Sequence, residues 1–329
     1  MFGRSEWNPS MKHCYITGGS SGLGLALAKM LSSQGAHVSI VARDSEKLAD
    51  ALAEIEGVRQ SKDQIHQAFS FSLFTADDSR AALDAAAAKH GGVPPDIVFL
   101  CAGKAIPRFF VEYTEAELVD GMNYGYWVQA WTAWIVTQQM VVHKRTGSII
   151  FVSSTLGLMT IPGYSGYSPG KHALRGLADT LRCELLLYDI NVHIFFPPTM
   201  FTPSYEEENK IKPKITKKIE ETDGGLTAEQ AAAGLLTGLR KGHAHITADM
   251  LTDSFRASTR GSAPANNWIL DGLIDLASKI WVPVWSTITD RRVKAHKREH
   301  HQYLEDIDFF SAQGSLSVFC ESWQAASAH

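Results

Sequence analysis

An α/β fold built on a doubly wound parallel sheet of about seven strands, followed by a helical C-terminal extension, is what this chain predicts. Three observations carry the prediction. Short apolar, β-branched runs alternate with helix-patterned stretches, a glycine-rich turn joins the first strand to the first helix, and no repeat or low-complexity linker separates two halves. At 329 residues and 45% hydrophobic the chain can bury one large core, so a single domain is expected over residues 10–262. An extension over 263–300 and a tail over 301–329, with little pattern and read as disordered, complete the division.

The strand-like runs fall at residues 13–17, 38–42, 69–73, 97–101, 148–152, 192–196 and 245–248. Between them lie helical patterns over 23–33, closed by Gly35, over 45–56, closed by Gly57, and over 80–90, closed by Gly91. Residues 116–143 read as one long helix. After about Pro198 the alternation stops. A lysine-rich polar run over 206–221, within a lid segment at 199–226, fits either a solvated face or a mobile flap over a site.

A net charge of −4 and a pI near 6.3 provide no basic field for a nucleic-acid partner. Cys14, Cys101, Cys183 and Cys320 lie far apart with no CxxC pair, which fits reduced thiols and argues against a zinc site. No apolar run marks the N-terminus as a signal peptide or anchor.

The first strand ends in Thr17-Gly18-Gly19-Ser20-Ser21-Gly22-Leu23-Gly24. Glycines there let backbone approach a pyrophosphate, whose charge is favoured at a helix N-terminus. At the end of the second strand stands Arg43, with Lys47 one helical turn on, where an acid would hold the ribose hydroxyls of NAD. Two cations suit a 2′-phosphate instead, so NADPH is the expected cofactor. Asp44 reads as the N-cap of the second helix.

Tyr167 and Lys171 are four apart and share a helix face, so the ammonium is placed to lower the phenol's pKa toward neutrality. Ser154, at the end of the fifth strand, is placed to hold a carbonyl oxygen that Tyr167 protonates. Ser153 faces the other way. Asn123, in the long helix, completes the polar set as a proton relay to Lys171 through water.

In this order these residues resemble the short-chain dehydrogenase/reductase superfamily, with its TGxxxGxG turn and its Asn, Ser and Tyr-x-x-x-Lys set. Within it, Phe196-Pro-Pro-Thr-Met-Phe-Thr-Pro203, then Glu206-Glu-Glu-Asn-Lys210 and Lys212-Pro213, are similar to the 3-ketodihydrosphingosine (3-dehydrosphinganine) reductase family. The resemblance implies a Rossmann-type fold, Tyr167 as general acid, and Lys171 on the nicotinamide ribose. It further implies cofactor contacts from Gly18, Ser20, Ser21, Gly22, Leu23, Gly24, Ala102, Gly103, Pro198 and Thr199, and a homo-oligomer of two or four chains. The substrate it implies is a long-chain 3-keto sphingoid base, seated among Phe109, Phe110, Leu156, Ile161, Tyr164, Met200 and Phe201. The chain departs from the pattern at three places. Leu73 stands where an adenine-side acid is usual, so that contact falls to backbone or apolar packing. Leu100-Cys101-Ala102-Gly103 replaces NNAG. Pro169 lies between the catalytic pair, which requires the helix to begin just before Tyr167.

Residues 268–288 form the single candidate membrane span, but Asp271, Asp275 and Lys279 each cost about 3 kcal/mol at a bilayer centre. Their four-residue spacing makes a polar stripe with apolar residues around it, so an amphipathic interfacial helix is expected, or one packed on protein. Arg291, Arg292, Lys294, Lys297 and Arg298 add attraction to anionic headgroups. With a lipid substrate, this suggests the endoplasmic reticulum membrane, catalytic domain toward the cytosol. Reduction of another lipophilic ketone such as a steroid or retinoid, non-catalytic nucleotide binding, and a membrane module remain alternatives.

Overall fold

The computed structural model describes residues 7–221 and 224–310. Its elements run β1 (His13–Thr17), α1 (Gly22–Ser32), β2 (His37–Ala42), α2 (Ser45–Glu56), β3 (His66–Ser70), α3 (Ala76–Ala88) and β4 (Ile97–Leu100). Then come α4 (Glu115–Met122), α5 (Val128–Val142), β5 (Gly147–Val152), α6 (Ser168–Glu184), β6 (Ile190–Phe196), β7 (Met200–Phe201), α7 (Pro203–Ile211) and α8 (Lys214–Glu220). The chain continues through β8 (Leu226–Thr227), α9 (Ala228–Arg240), β9 (His245–Thr247), α10 (Met250–Ser258), α11 (Trp268–Ala295) and α12 (Lys297–Asp306).

Seven parallel strands form one sheet in the order β3-β2-β1-β4-β5-β6-β9, and β7 pairs with β8 in a separate two-stranded ribbon. The order reverses direction at β1 and β4, so a crevice opens beyond their C-terminal ends, where such sheets bind ligands. The residues of β1 and β4 are buried throughout, as expected of central strands covered on both faces. Leu27, Leu31, Ile16, Ile40, Phe99 and Leu235 belong to this buried core.

Three expectations are corrected. The third strand ends at Ser70, because its ladder runs from Val38–His66 to Ala42–Ser70; Leu73 lies beyond it, buried, with a left-handed φ of 59°. The long helix over 116–143 is broken by a π turn at Asn123–Trp127 into α4 and α5. Such wide turns gather at functional sites. The lysine-rich run is helical, occupied by α7 and α8; Lys210, Lys214, Lys217 and Lys218 are exposed on it, as on a solvated face, but Lys212 between the helices is buried.

The chain divides into two compact units, Met1–Lys279 and Ile280–His329, not at 262. The physical reason is Asp271. Expected on a polar stripe, it is buried, accepts two hydrogen bonds from the Arg256 guanidinium at 2.7 and 3.0 Å and one from Asn266 N at 3.1 Å. That ties the start of α11 to α10. In this unit Trp268, Ile269, Leu270, Leu273 and Leu276 are exposed, so the helix shows apolar residues outward. In the second unit α11 exposes Ile280, Val284 and Ile288. Residues 301–306, expected to be unstructured tail, continue α12, and residues 311–329 lie outside the described residues. No described helix is long and apolar enough to cross a membrane.

Candidate active site

At the end of β1 the chain turns tightly against β2, with Gly18 N and Gly19 N both donating to Val41 O. Gly18 has φ 67°, and a Cβ on Gly24 would lie 2.3 Å from Gly18 O, so only glycine lets the two backbones meet. Ser21 is the N-cap of α1, yet its hydroxyl makes no capping bond and the first turn holds no acid. By contrast Asp44, Thr75, Thr114, Thr202, Thr227 and Asp249 cap α2, α3, α4, α7, α9 and α10 with their side chains. The N–H groups opening α1 are thus left facing the crevice, with Ser20 and Leu23 alongside in the turn; this donor set fits a pyrophosphate.

Arg43 follows β2 on the exposed side of the crevice. Its guanidinium lies 5.7 Å from the Phe74 ring centroid and 5.8 Å from that of Tyr124, and donates to Tyr124 Oη at 3.5 Å. Asp44 accepts from Glu46 N and Lys47 N, as its capping role requires, and Lys47 Nζ lies 3.7 Å from its carboxylate. Both cations are exposed just beyond the end of β2. Ala102 N donates to Thr17 Oγ1 at 3.1 Å, which fastens the turn after β4 to the end of β1 and brings Ala102 and Gly103 against the glycine turn. On the far side, Thr199 O accepts from Leu226 N, which joins the Pro198-Thr199 strap to the β7–β8 ribbon.

Tyr167 is the N-cap of α6 and Pro169 occupies its first turn, where the missing N–H costs nothing. The helix thus begins where the Tyr-x-x-x-Lys pair needs it. Two glycines set its approach to the π turn: a Cβ on Gly170 would sit 2.9 Å from Gly125 Cα. Ser154 caps a short 3-10 turn, with its Oγ accepting from Leu156 N at 3.1 Å, and stands beside the Tyr167 phenol, whose ionisation it favours. Ser153 is buried on the other side and donates to Lys171 O at 2.9 Å, a purely structural bond.

Lys171 is buried and donates to Val152 O at 3.0 Å; its Nζ lies 5.4 Å from the Tyr167 ring centroid. Burial lowers its pKa to about 8. The phenol shifts the other way from the expectation. Burial pushes its pKa up and the Glu208 carboxylate adds to that, with Ser154 as the opposing influence. Tyr167 is therefore a proton-loaded phenol rather than a phenolate. Asn123 is brought to the π turn but not to a direct bond with Lys171: its amide donates to Asp120 at 3.2 Å. The expected apolar groove is also altered. Phe110 and Phe201 are exposed, whereas Tyr164 is buried with its hydroxyl on two carboxylates.

Sequence reasoning missed two sets of residues. Gln129, fully buried in α5, donates to Ala102 O at 3.2 Å and Val152 O at 2.8 Å, and accepts from Val152 N. It holds the carbonyl that receives Lys171, and its signal was a lone amide among apolar residues of a buried helix. The second set is Glu208, Lys212 and Glu220, gathered on Tyr164, a residue expected only to line the apolar groove. Tyr164 Oη lies 2.5 Å from Glu208 Oε1 and 2.8 Å from Glu220 Oε1, and Lys212 Nζ lies 3.0 Å from Glu208 and 2.6 Å from Glu220. No sequence spacing joins Tyr164 to Glu220.

Residues 12–212 match the family model of the short chain dehydrogenases. The chain is 45% identical over 309 residues to a 3-ketodihydrosphingosine reductase of Cryptococcus neoformans var. neoformans, covering 94% of this chain and 92% of that protein. It is 35% identical over 265 residues to a 3-dehydrosphinganine reductase of Danio rerio, covering 79% of this chain and 78% of the relative. Among solved structures, a short chain dehydrogenase/reductase from Burkholderia phymatum in complex with NAD superposes with a TM-score of 0.67 at 18% identity, over 77% of this chain and 93% of that one. A levodione reductase does so with a TM-score of 0.63 at 23% identity, over 70% and 91%. These structures share the fold.

Proposed function

Because the chain belongs to the short-chain dehydrogenase/reductase family, and within it to the 3-ketodihydrosphingosine reductases, we propose that it uses NADPH to reduce 3-ketodihydrosphingosine to dihydrosphingosine. The observation that carries this reading is the Tyr167 phenol set between Ser154 and a buried Lys171, whose Nζ lies 5.4 Å from the phenol ring, at the crevice whose other wall is the uncapped start of α1.

The glycine turn, Ser20, Ser21 and the N–H groups of α1 would hold the pyrophosphate, with Ala102, Gly103, Pro198 and Thr199 lining the nicotinamide side and Leu73 the adenine side through its backbone. Arg43 and Lys47 would take the 2′-phosphate, which favours NADPH over NADH. When bound, the reduced nicotinamide supplies hydride to the carbonyl carbon. Ser154 holds the carbonyl oxygen, and Tyr167, kept protonated by its burial, gives that oxygen its proton. Lys171, with a pKa near 8, stays charged at neutral pH, steadies the phenolate left behind and binds the nicotinamide ribose. Asn123 enters a relay to Lys171 only by turning its amide from Asp120 toward water. Purified protein should consume NADPH and form dihydrosphingosine from the ketone. Turnover of a steroid or retinoid in its place would overturn the assignment.

The exposed apolar residues of α11, and the basic run from Arg291 to Arg298 after them, support attachment to an anionic membrane face, the endoplasmic reticulum's cytosolic one given this substrate. Leu273→Glu and Ile280→Glu should abolish flotation with anionic liposomes. Deleting the helix would be a poorer test, since Arg256 would lose Asp271.

A further inference from the structure

The Tyr164–Glu208–Lys212–Glu220 cluster is unbalanced in two ways. It sets two carboxylates against one ammonium, and the Lys212 side chain is fully buried, while those of Glu208 and Glu220 are only 16% and 12% exposed. Buried charge is costly unless it is paired. Tyr164 also has one hydroxyl proton, yet lies within hydrogen-bonding distance of a carboxylate oxygen from each glutamate, so one of those oxygens lacks a donor from it. A cluster built only to latch α7 and α8 onto Tyr164 would call for matched charges.

Its position gives the imbalance a use. The Tyr164 and Tyr167 rings are 6.0 Å apart between centroids, and the Glu208 carboxylate acts on the Tyr167 phenol. A ketone whose oxygen sits on Tyr167 and Ser154 has its neighbouring carbon beside them. In the substrate class of the preceding section that carbon carries a primary ammonium, with the proton donors and the positive charge the cluster lacks.

We propose that Glu208, backed by Lys212 and Glu220, receives the substrate's ammonium and selects amino ketones over ketones without a charged amine. The inference rests on the reductase reading and adds its specificity-determining residue. The pairing places the carbonyl at the phenol by fixing the carbon next to it.

The test compares 3-ketodihydrosphingosine with its N-acetyl derivative, in wild type and in Glu208→Gln. It measures kcat/KM for each ketone and, by tryptophan fluorescence, the Kd of dihydrosphingosine and of N-acetyldihydrosphingosine. Wild type should prefer the amines in both measurements, and Glu208→Gln should shrink that preference about 10- to 100-fold, the range of a charge-assisted hydrogen bond. Glu208→Asp should retain part of it. If Glu208→Gln does not fold, Glu220→Gln removes the same surplus charge and should also reduce the preference. Equal losses on both ligands would make the cluster a latch and overturn the inference. Equal wild-type affinities would do so too, and would indicate a proton shared between the carboxyls. In either case wild-type turnover of the amino ketone would leave the reductase reading standing. If wild type reduces neither ketone with NADPH, both readings fall.

Discussion

The crevice is walled by two regions built in opposite ways. On the cofactor side, from β1 to β4, backbone does the work: glycines meet glycines, and the donors opening α1 stay uncapped while its neighbours are closed by Asp44 and Thr75. On the substrate side, across α7 and α8, long side chains do it, with Glu208 of α7 and Glu220 of α8 meeting at Lys212 between the helices and at Tyr164. The first wall owes its shape to local conformation, and its charges act on the ligand rather than on the fold. The second depends on charge balance and should fail when one partner is removed.

Lys212→Met is the strongest way to break that contrast. Leaving two carboxylates without their buried ammonium should cost about 3–5 kcal/mol of stability, measured by chemical denaturation. A cost below about 1 kcal/mol would mean the charges are already balanced in another way. A smaller effect is expected across the crevice. Arg43→Ala should weaken NADPH binding about 10- to 100-fold and leave NADH binding nearly unchanged, as titration of each cofactor would show. Equal losses would place Arg43 away from the 2′-phosphate. Smaller still, Thr75→Ala removes the bond from Asp78 N that caps α3 and should cost about 1 kcal/mol without altering either Kd.

Acidity separates the catalytic residues in the same manner. Lys171 loses its proton as pH rises through about 8, whereas the phenol's pKa is raised and Tyr167 remains protonated there. Reduction should therefore decline on the alkaline side from about pH 8, and Lys171→Arg should move that limb to higher pH. A limb that stays in place in Lys171→Arg would assign it to another group.

What could be read from the sequence follows the same division. The parallel sheet, the glycine turn, the Asp44 cap and the start of α6 before Tyr167 are local matters, set by neighbours in the chain. The π turn at Asn123 was not legible, because apolar periodicity passes through one widened turn with little change of phase. The third strand was placed three residues late, because Phe69 to Leu73 is the more apolar run while the β2 ladder selects His66 to Ser70. Asp271 reads as part of a polar stripe, since nothing near it in sequence announces Arg256 as its partner. The lysine run misled for a related reason: composition cannot distinguish Lys212, fully buried, from Lys217, exposed one turn and a residue later.

Both walls matter only if the phenol between them delivers its proton. The direct measurement is single-turnover reduction of 3-ketodihydrosphingosine by NADPH in wild type and Tyr167→Phe, with NADPH affinity determined for each. Loss of general acid catalysis should slow the variant about 10²- to 10⁴-fold while cofactor affinity holds. A variant that reduces the ketone at the wild-type rate would contradict the account.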